Sequence, residues 1–253
     1  MRPAILSARL VLRLPDWIGV RTKHHAAKDP VMTDVTIVGM PRSNLTRSVR
    51  IACIEKEISF EFTSRNVQTP GQSATPEVLK HNPFGKVPVL MHGSFVLYET
   101  AAICRYIDDN FPGPLLRPVR ATKVAWMNQW ISLAMTRFDQ NIIRKFVIPM
   151  AFADHAKRHD PGFAIHMNQV ADTIRNDLAV LDPAYADGWL FGDRFTLPDM
   201  MIMPMMHYLN AMPGGAEMIG DAPNVQSAYQ RFKARSSAVQ TDPLLPEQIL
   251  KSA

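Results

Sequence analysis

The stretch Asn82–Ile103, NPFGKVPVLMHGSFVLYETAAI, constrains the fold more than any other part of this chain. Val87-Pro88-Val89-Leu90 and Phe95-Val96-Leu97 are two short runs of strand-forming residues. Met91-His92-Gly93-Ser94 lies between them and holds the glycine that a hairpin turn needs. Pro88 gives up a ladder donor, so it belongs at the start or the edge of a strand. A Val-Pro bond there is also a place where a cis peptide can be held, and such bonds are rarely incidental. A cis bond would turn the Val87 N–H and C=O outward, where an extended peptide can pair with them as an added strand does. Glu99-Thr100 then opens a helix, at whose mouth the N–H groups lack partners and negative charge is favoured. The pattern points to a peptide-like ligand bearing a carboxylate.

The preceding residues supply the rest of a sheet. Val35–Val38 reads as a strand closed by Gly39, and a helix follows from Leu45 to Glu57 with Leu45, Val49, Ala52 and Cys53 on its apolar face. Arg47, Arg50 and Lys56 are expected on the outer face of that helix. Ile58–Phe62 alternates as a second strand, residues 63–76 read as a loop, and Glu77–His81 as a short helix. After the hairpin, Thr100–Ile107 is helical. The order is βαβ, then α, then ββα, with the first strand pair parallel and the last antiparallel. That is the thioredoxin-like arrangement. Pro112–Pro118, with three prolines and a glycine in seven residues, ends it, because such a run cannot continue a helix.

The second half is helical throughout. Residues Val119–Ile148 carry Val124, Met127, Trp130, Ile131, Ala134, Phe138 and Ile142 at three/four spacing. Asp160-Pro161 starts another helix, whose stripe is Phe163, Met167, Val170, Ile174, Leu178 and Leu181. Thr196 and Asp199 form a capping-box pair beside Phe195, which gives Asp199 a structural role. Met200, Met201, Met203, Met205 and Met206 crowd the helix that follows and are expected in the core. A last helix covers Pro223–Arg235. The fold class is therefore an α/β thioredoxin-like N-terminal domain (34–112), a linker (113–118) and an all-α helical-bundle domain (119–253). A basic extension, residues 1–33, precedes the fold.

Charge places that extension apart. Six of the 28 Lys and Arg and two of the 23 Asp and Glu fall in residues 1–31, so the arm holds +4 of the net +5 and the body is nearly neutral. The charge thus gives no support to nucleic-acid binding. No apolar run is long enough to span a bilayer. The arm fits an organellar transit peptide, or else an unstructured tail or a start codon upstream of Met32; the tail reading is the expectation. Two cysteines, Cys53 and Cys104, fall inside helix patterns and make no disulfide framework, which fits a cytoplasmic location. No G-x-G-x-x-G, H-E-x-x-H or paired C-x-x-C occurs, so neither a nucleotide nor a metal is expected.

Three segments together resemble the glutathione S-transferase family: Val87-Pro88 with Glu99-Thr100 eleven residues after the proline, PRSNLTRSV at Pro41–Val49, and GDRFTLPD at Gly192–Asp199. The second is similar to the phi-like, serine-type members. The resemblance covers the chain from about Asp34 to its last helix. It implies that Ser43 is catalytic, stabilising the glutathione thiolate by hydrogen bonding. It implies that Lys86, Val87, Pro88, Glu99 and Thr100 bind glutathione, with Gln72 and Ser73 candidates for the glycyl end. Thr100 and Lys86 stand where such members usually carry serine and glutamine. Trp126, Trp130 and Phe138 would line a hydrophobic substrate site, and a homodimer is implied. Glutathione enters as co-substrate, with conjugation to a hydrophobic electrophile or reduction of a hydroperoxide as the reaction. Without reference to the family, Ser43 reads simply as a helix cap. Arg42 beside it leaves open a non-catalytic binding module of the same fold.

Overall fold

The computed structural model describes residues 34–64 and 75–243. The basic arm, Gln72 and Ser73 lie outside the described residues. β1 (Val35–Val38) pairs in parallel with β2 (Glu61–Thr63) and antiparallel with β3 (Val89–His92); β3 pairs antiparallel with β4 (Phe95–Tyr98). The order β2-β1-β3-β4 is the thioredoxin-like mixed sheet. The hairpin is tighter than its sequence suggests. Met91 and His92 belong to β3, and the turn is Gly93-Ser94 alone, with Gly93 at φ 57°. The second strand also starts later than Ile58, although Ile58 and Phe60 still pack against the core.

Three helices accompany the sheet: α1 (Asn44–Glu55), α2 (Pro76–His81) and α3 (Thr100–Asn110). The helical half opens with α4 (Ala121–Leu133) and goes on through α5 (Ile148–Phe152), α6 (His155–Arg158) and α7 (Pro161–Leu181). It closes with α8 (Leu197–Asn210), α9 (Gly215–Gly220), α10 (Pro223–Lys233) and α11 (Ser236–Gln240). Between α4 and α5, Ala134–Val147 winds as a wide π-helix, where the sequence pattern predicts continuous α-helix. The stripe Phe138, Ile142, Ile143, Phe146 and Val147 suits either winding, so periodicity does not separate them. Buried Asp139 and Asn141 are tied elsewhere: Asn141 donates to Asp177 of α7 at 2.7 Å, and Asp139 accepts from Asn44 at 3.0 Å.

α8 is buried from Leu197 to Leu209 and is the axis of the helical half. Its capping box forms as expected. Burial pushes the Asp199 carboxyl up to about 6, while donors on Thr196 and Leu190 favour its anion. All five methionines of this helix are fully enclosed, which is the core role. α1 packs on both α3 and α8, so one continuous core joins the sheet to the helices.

Two charges expected on the outer face of α1 are in fact buried. Lys56, at the end of α1, is 2% exposed; its ammonium pairs with Asp108 at 3.1 Å and donates to the Pro114 carbonyl at 3.0 Å. Asp108 also takes Arg117 at 3.0 Å and the Leu116 N–H at 2.9 Å, so the knot ties α1, α3 and the proline-rich linker together. Arg47 is 1% exposed, and its guanidinium donates to Thr241 Oγ1 and to the Ala238 carbonyl. Arg50 is half-buried, 4.4 Å over the Phe62 ring. An outward reading of these cations fails because other elements cover that face of the helix.

Candidate active site

Strand register gathers the candidate residues. Val38, the last residue of β1, faces Val89, the first of β3, and Val89 faces Tyr98, the last of β4. The loop Gly39–Ser43, the Val87–Pro88 pair and Glu99 therefore all leave the sheet at the same end. The Val87–Pro88 peptide bond is cis.

The β1–α1 loop is held from several sides. Gly39 lies so close to Thr46 that an added Cβ would stand 2.3 Å from its methyl, hence glycine here. Ser43 caps α1, its oxygen accepting from the Thr46 N–H at 3.2 Å. Because that bond uses a lone pair, the hydroxyl proton stays available to donate. The Tyr208 hydroxyl of α8 donates to the Arg42 carbonyl at 2.7 Å, and burial pushes the Tyr208 phenol well up, so it stays a donor. Asn44 is buried and donates to Asp139, whose other oxygen accepts from Arg144 at 2.8 Å. Thus the residues on both sides of Ser43 are fixed by the helical half.

The second loop is organised by Asn82, buried beneath it. Its amide donates to the Lys86 carbonyl at 2.8 Å and accepts from the Phe84 N–H at 3.0 Å. Lys86 itself is exposed and Val87 half-buried.

The third part carries the most telling features. Glu99 has φ 76°, a conformation that costs a residue with a side chain roughly 1–3 kcal/mol and collects at ligand clamps. Its exposed carboxylate makes no cap for α3, so among the described residues the N–H groups of that helix start lack a side-chain partner. Next to it, the Thr100 side-chain oxygen is buried and has no hydrogen-bond partner among the described residues. A strained acid, an uncapped helix start and an orphaned hydroxyl in two consecutive residues suit a zwitterionic amino-acid group.

The remaining candidates disperse. Trp126 of α4 is 61% exposed and Trp130 is half-buried, whereas Phe138 is enclosed in the core at 2%. Phe138 cannot meet a ligand without its neighbours moving, which corrects its assignment to a substrate site. Both cysteines are buried as well. Burial pushes the Cys104 thiol up to about 12 and that of Cys53 well up, so neither serves as a nucleophile. Among the described residues, no group of three or more His, Cys, Asp or Glu is placed to hold a metal ion.

Comparison with known sequences decides what this frame belongs to. The profile described as "Glutathione S-transferase, N-terminal domain" matches residues 37–115, and its C-terminal counterpart matches 151–238. The chain belongs to the glutathione S-transferase family. Glutathione S-transferase F10 of Arabidopsis thaliana is 26% identical over 193 residues, covering 74% of this chain and 86% of its own. A solved glutathione S-transferase III in its apo form is 28% identical with a TM-score of 0.68, covering 84% of this chain and 97% of that one. The theta-class transferase of Xanthomonas axonopodis pv. citri, solved with glutathione bound, has a TM-score of 0.69 at 23% identity, over 83% of this chain and 97% of its own; that likeness is one of fold.

Tyr208, Asn82 and the Asn44–Asp139–Arg144 chain escape a reading of the sequence, since each acts on a loop distant in the chain or through the backbone. Only the Asn82-Pro83 turn pair offers a local signal.

Proposed function

We propose that this chain is a serine-type glutathione transferase of the phi-like kind. Its Ser43 hydroxyl stabilises the glutathione thiolate, which attacks an electrophile or reduces a hydroperoxide. The observation that carries this reading is the convergence of Ser43, Val87–Pro88 and Glu99–Thr100 at one end of the sheet. In this assignment the Val87 backbone pairs with the peptide, and Glu99 takes the γ-glutamyl ammonium. Thr100 donates to the neighbouring carboxylate, Lys86 meets a carboxylate, and Pro88 holds the turn.

A free thiol of pKa about 8.5 is only about 3% thiolate at pH 7. Lowering it by about two units needs about 2.7 kcal/mol of preference for the anion. One hydrogen bond to a charged group contributes roughly 1.5–3 kcal/mol, and a helix N-terminus roughly 0.3–1 more. A single hydroxyl at the mouth of α1 is therefore enough. In conjugation the thiol proton leaves to solvent and the sulfur lone pair forms the S–C bond. The departing group takes the electrons of the bond it leaves. In hydroperoxide reduction the thiolate takes the terminal oxygen as the O–O bond breaks to give an alcohol, and a second glutathione converts the sulfenate to the disulfide and water.

Trp126 and Trp130 of α4 are the candidates to meet the hydrophobic electrophile. The working form is a homodimer, the location the cytoplasm and the role detoxification, as the family resemblance implies; no helix of the described residues is long and apolar enough to cross a membrane. The test is glutathione conjugation to a broad aromatic electrophile by the native chain, Ser43→Ala and Ser43→Gly. Glycine caps a helix nearly as well as serine, within a few tenths of a kcal/mol, so it separates capping from chemistry. Both variants should lose tenfold or more in kcat/KM. Retention by Ser43→Gly would reduce Ser43 to a cap, and no turnover by any of the three chains would favour a non-catalytic binding module.

A further inference from the structure

A pocket of about 280 Å³ opens where α1, α8, α10 and α11 meet, and none of the glutathione candidates lines it. Arg47, His207, Tyr229, Lys233, Val239 and Asp242 are among its walls. Arg47 comes from the first turn of α1 and is 1% exposed. Nε donates to Thr241 Oγ1 at 3.3 Å and Nη2 to the Ala238 carbonyl at 3.0 Å, but buried Nη1 has no partner among the described residues. Its charge meets the Phe232 ring at 5.3 Å, and among the described residues no carboxylate lies within ion-pair distance. Burial, the largest influence, pulls the guanidinium down from its ordinary value, yet arginine stays charged near neutral pH. His207 Nε2 is likewise buried without a hydrogen bond and stands 3.6 Å from Asp242 Oδ1. Burial and the neighbouring Arg47 pull His207 down to about 4, so at pH 7 it is neutral. Among the described residues the lining therefore holds two cations, Arg47 and Lys233, against the single carboxylate of Asp242.

A buried guanidinium with an N–H unpaired among the described residues offers a donor to a carboxylate oxygen, since buried donors are almost always satisfied. The Tyr229 ring and the Ala238 and Val239 side chains give the wall an apolar part, beside the polar Asn210. The space is at the lower end of what small-molecule sites offer. We propose that this pocket is a binding site for a small organic carboxylate. Its anionic end pairs with Arg47 and Lys233, and its apolar body rests against Tyr229 and Val239. The site is separate from the glutathione groove, and the inference does not rest on the catalytic reading of Ser43.

Benzoate is the probe, and isothermal titration of the full chain at pH 7 is the measurement, with benzamide as the uncharged control. Saturable one-to-one binding of benzoate is expected, with benzamide at least tenfold weaker and excess glutathione without effect on either. Lys233→Met should weaken benzoate threefold or more. Val239→Trp, at a position 64% exposed and so tolerant of size, should abolish binding while the melting temperature stays unchanged. Arg47→Met should abolish it too, but the surface variants keep the test independent of whether that chain folds. Equal binding of benzoate and benzamide, displacement by glutathione, or undiminished binding by Val239→Trp would each overturn the proposal. So would binding that appears only after deletion of residues 244–253, because the chain itself would then be the occupant.

Discussion

Thr100→Val should move free and liganded stability in opposite directions, because the Thr100 hydroxyl is buried without a hydrogen-bond partner among the described residues. An unsatisfied buried polar group costs roughly 1–3 kcal/mol, and valine replaces it with a methyl of similar shape. The free variant should therefore be more stable by about 1.5 kcal/mol. For a chain of this length that raises the midpoint by roughly 3–6 °C. Glutathione binding should change the other way. If the hydroxyl donates to a carboxylate, its loss removes about 2 kcal/mol, or roughly thirtyfold in Kd. At a glutathione concentration a hundred times the native Kd, the ligand stabilises the native chain by about 2.7 kcal/mol and a variant weakened thirtyfold by only about 0.9. The free-state advantage is then cancelled, and the two melting curves should converge or cross as glutathione is added. Thermal unfolding with and without glutathione, alongside titration calorimetry, reads both terms. A variant less stable than the native chain when free, or one with unchanged glutathione affinity, would refute the reasoning.

The other expectations concern what holds the site in shape. Asp108→Ala leaves Lys56 charged and buried, so it should cost about 3–5 kcal/mol in denaturant unfolding, whereas the apolar pair Lys56→Met with Asp108→Leu should recover most of that. Tyr208→Phe removes the bond to the Arg42 carbonyl; it should lower stability by about 0.5–1.5 kcal/mol and reduce kcat/KM in the conjugation assay, with glutathione binding less affected than turnover. The His207 pKa is depressed when folded, so its unfolded form takes up protons first as pH falls from about 6.5 towards 4, and stability is lost across that window. His207→Gln should therefore flatten the acid limb of a stability–pH profile, and an unchanged limb would contradict the assignment.

The strands, the cis Val87–Pro88 pair, the capping box and the two proline-marked helix starts were legible because each depends on neighbours a few residues away. The parallel pairing of the first two strands and the antiparallel pairing of the last two followed from the connections between them. Arg47 and Lys56 were misread because a cation's hydropathy says nothing of which distant element covers it, and their partners, Thr241 and Asp108, lie far along the chain. The π-helical winding of Ala134–Val147 was invisible for another reason: its apolar stripe fits either pitch, and buried hydrogen bonds to Asn44 and Asp177 accompany the wide one. At the site, Glu99 and Thr100 could be picked out from sequence, but the positive φ and the orphaned hydroxyl are three-dimensional facts.

The anchors of the Ser43 loop have a consequence for heredity. Arg42 is secured by a tyrosine 166 positions away and Asn44 by an aspartate 95 positions away, both in the other half of the molecule. A recombination event, natural or engineered, that joined this sheet half to a relative's helices would carry the serine across intact yet leave its seat behind. A chimera of the two halves should keep the serine seated only where Tyr208 and Asp139, or equivalents that reach the same loop, come along.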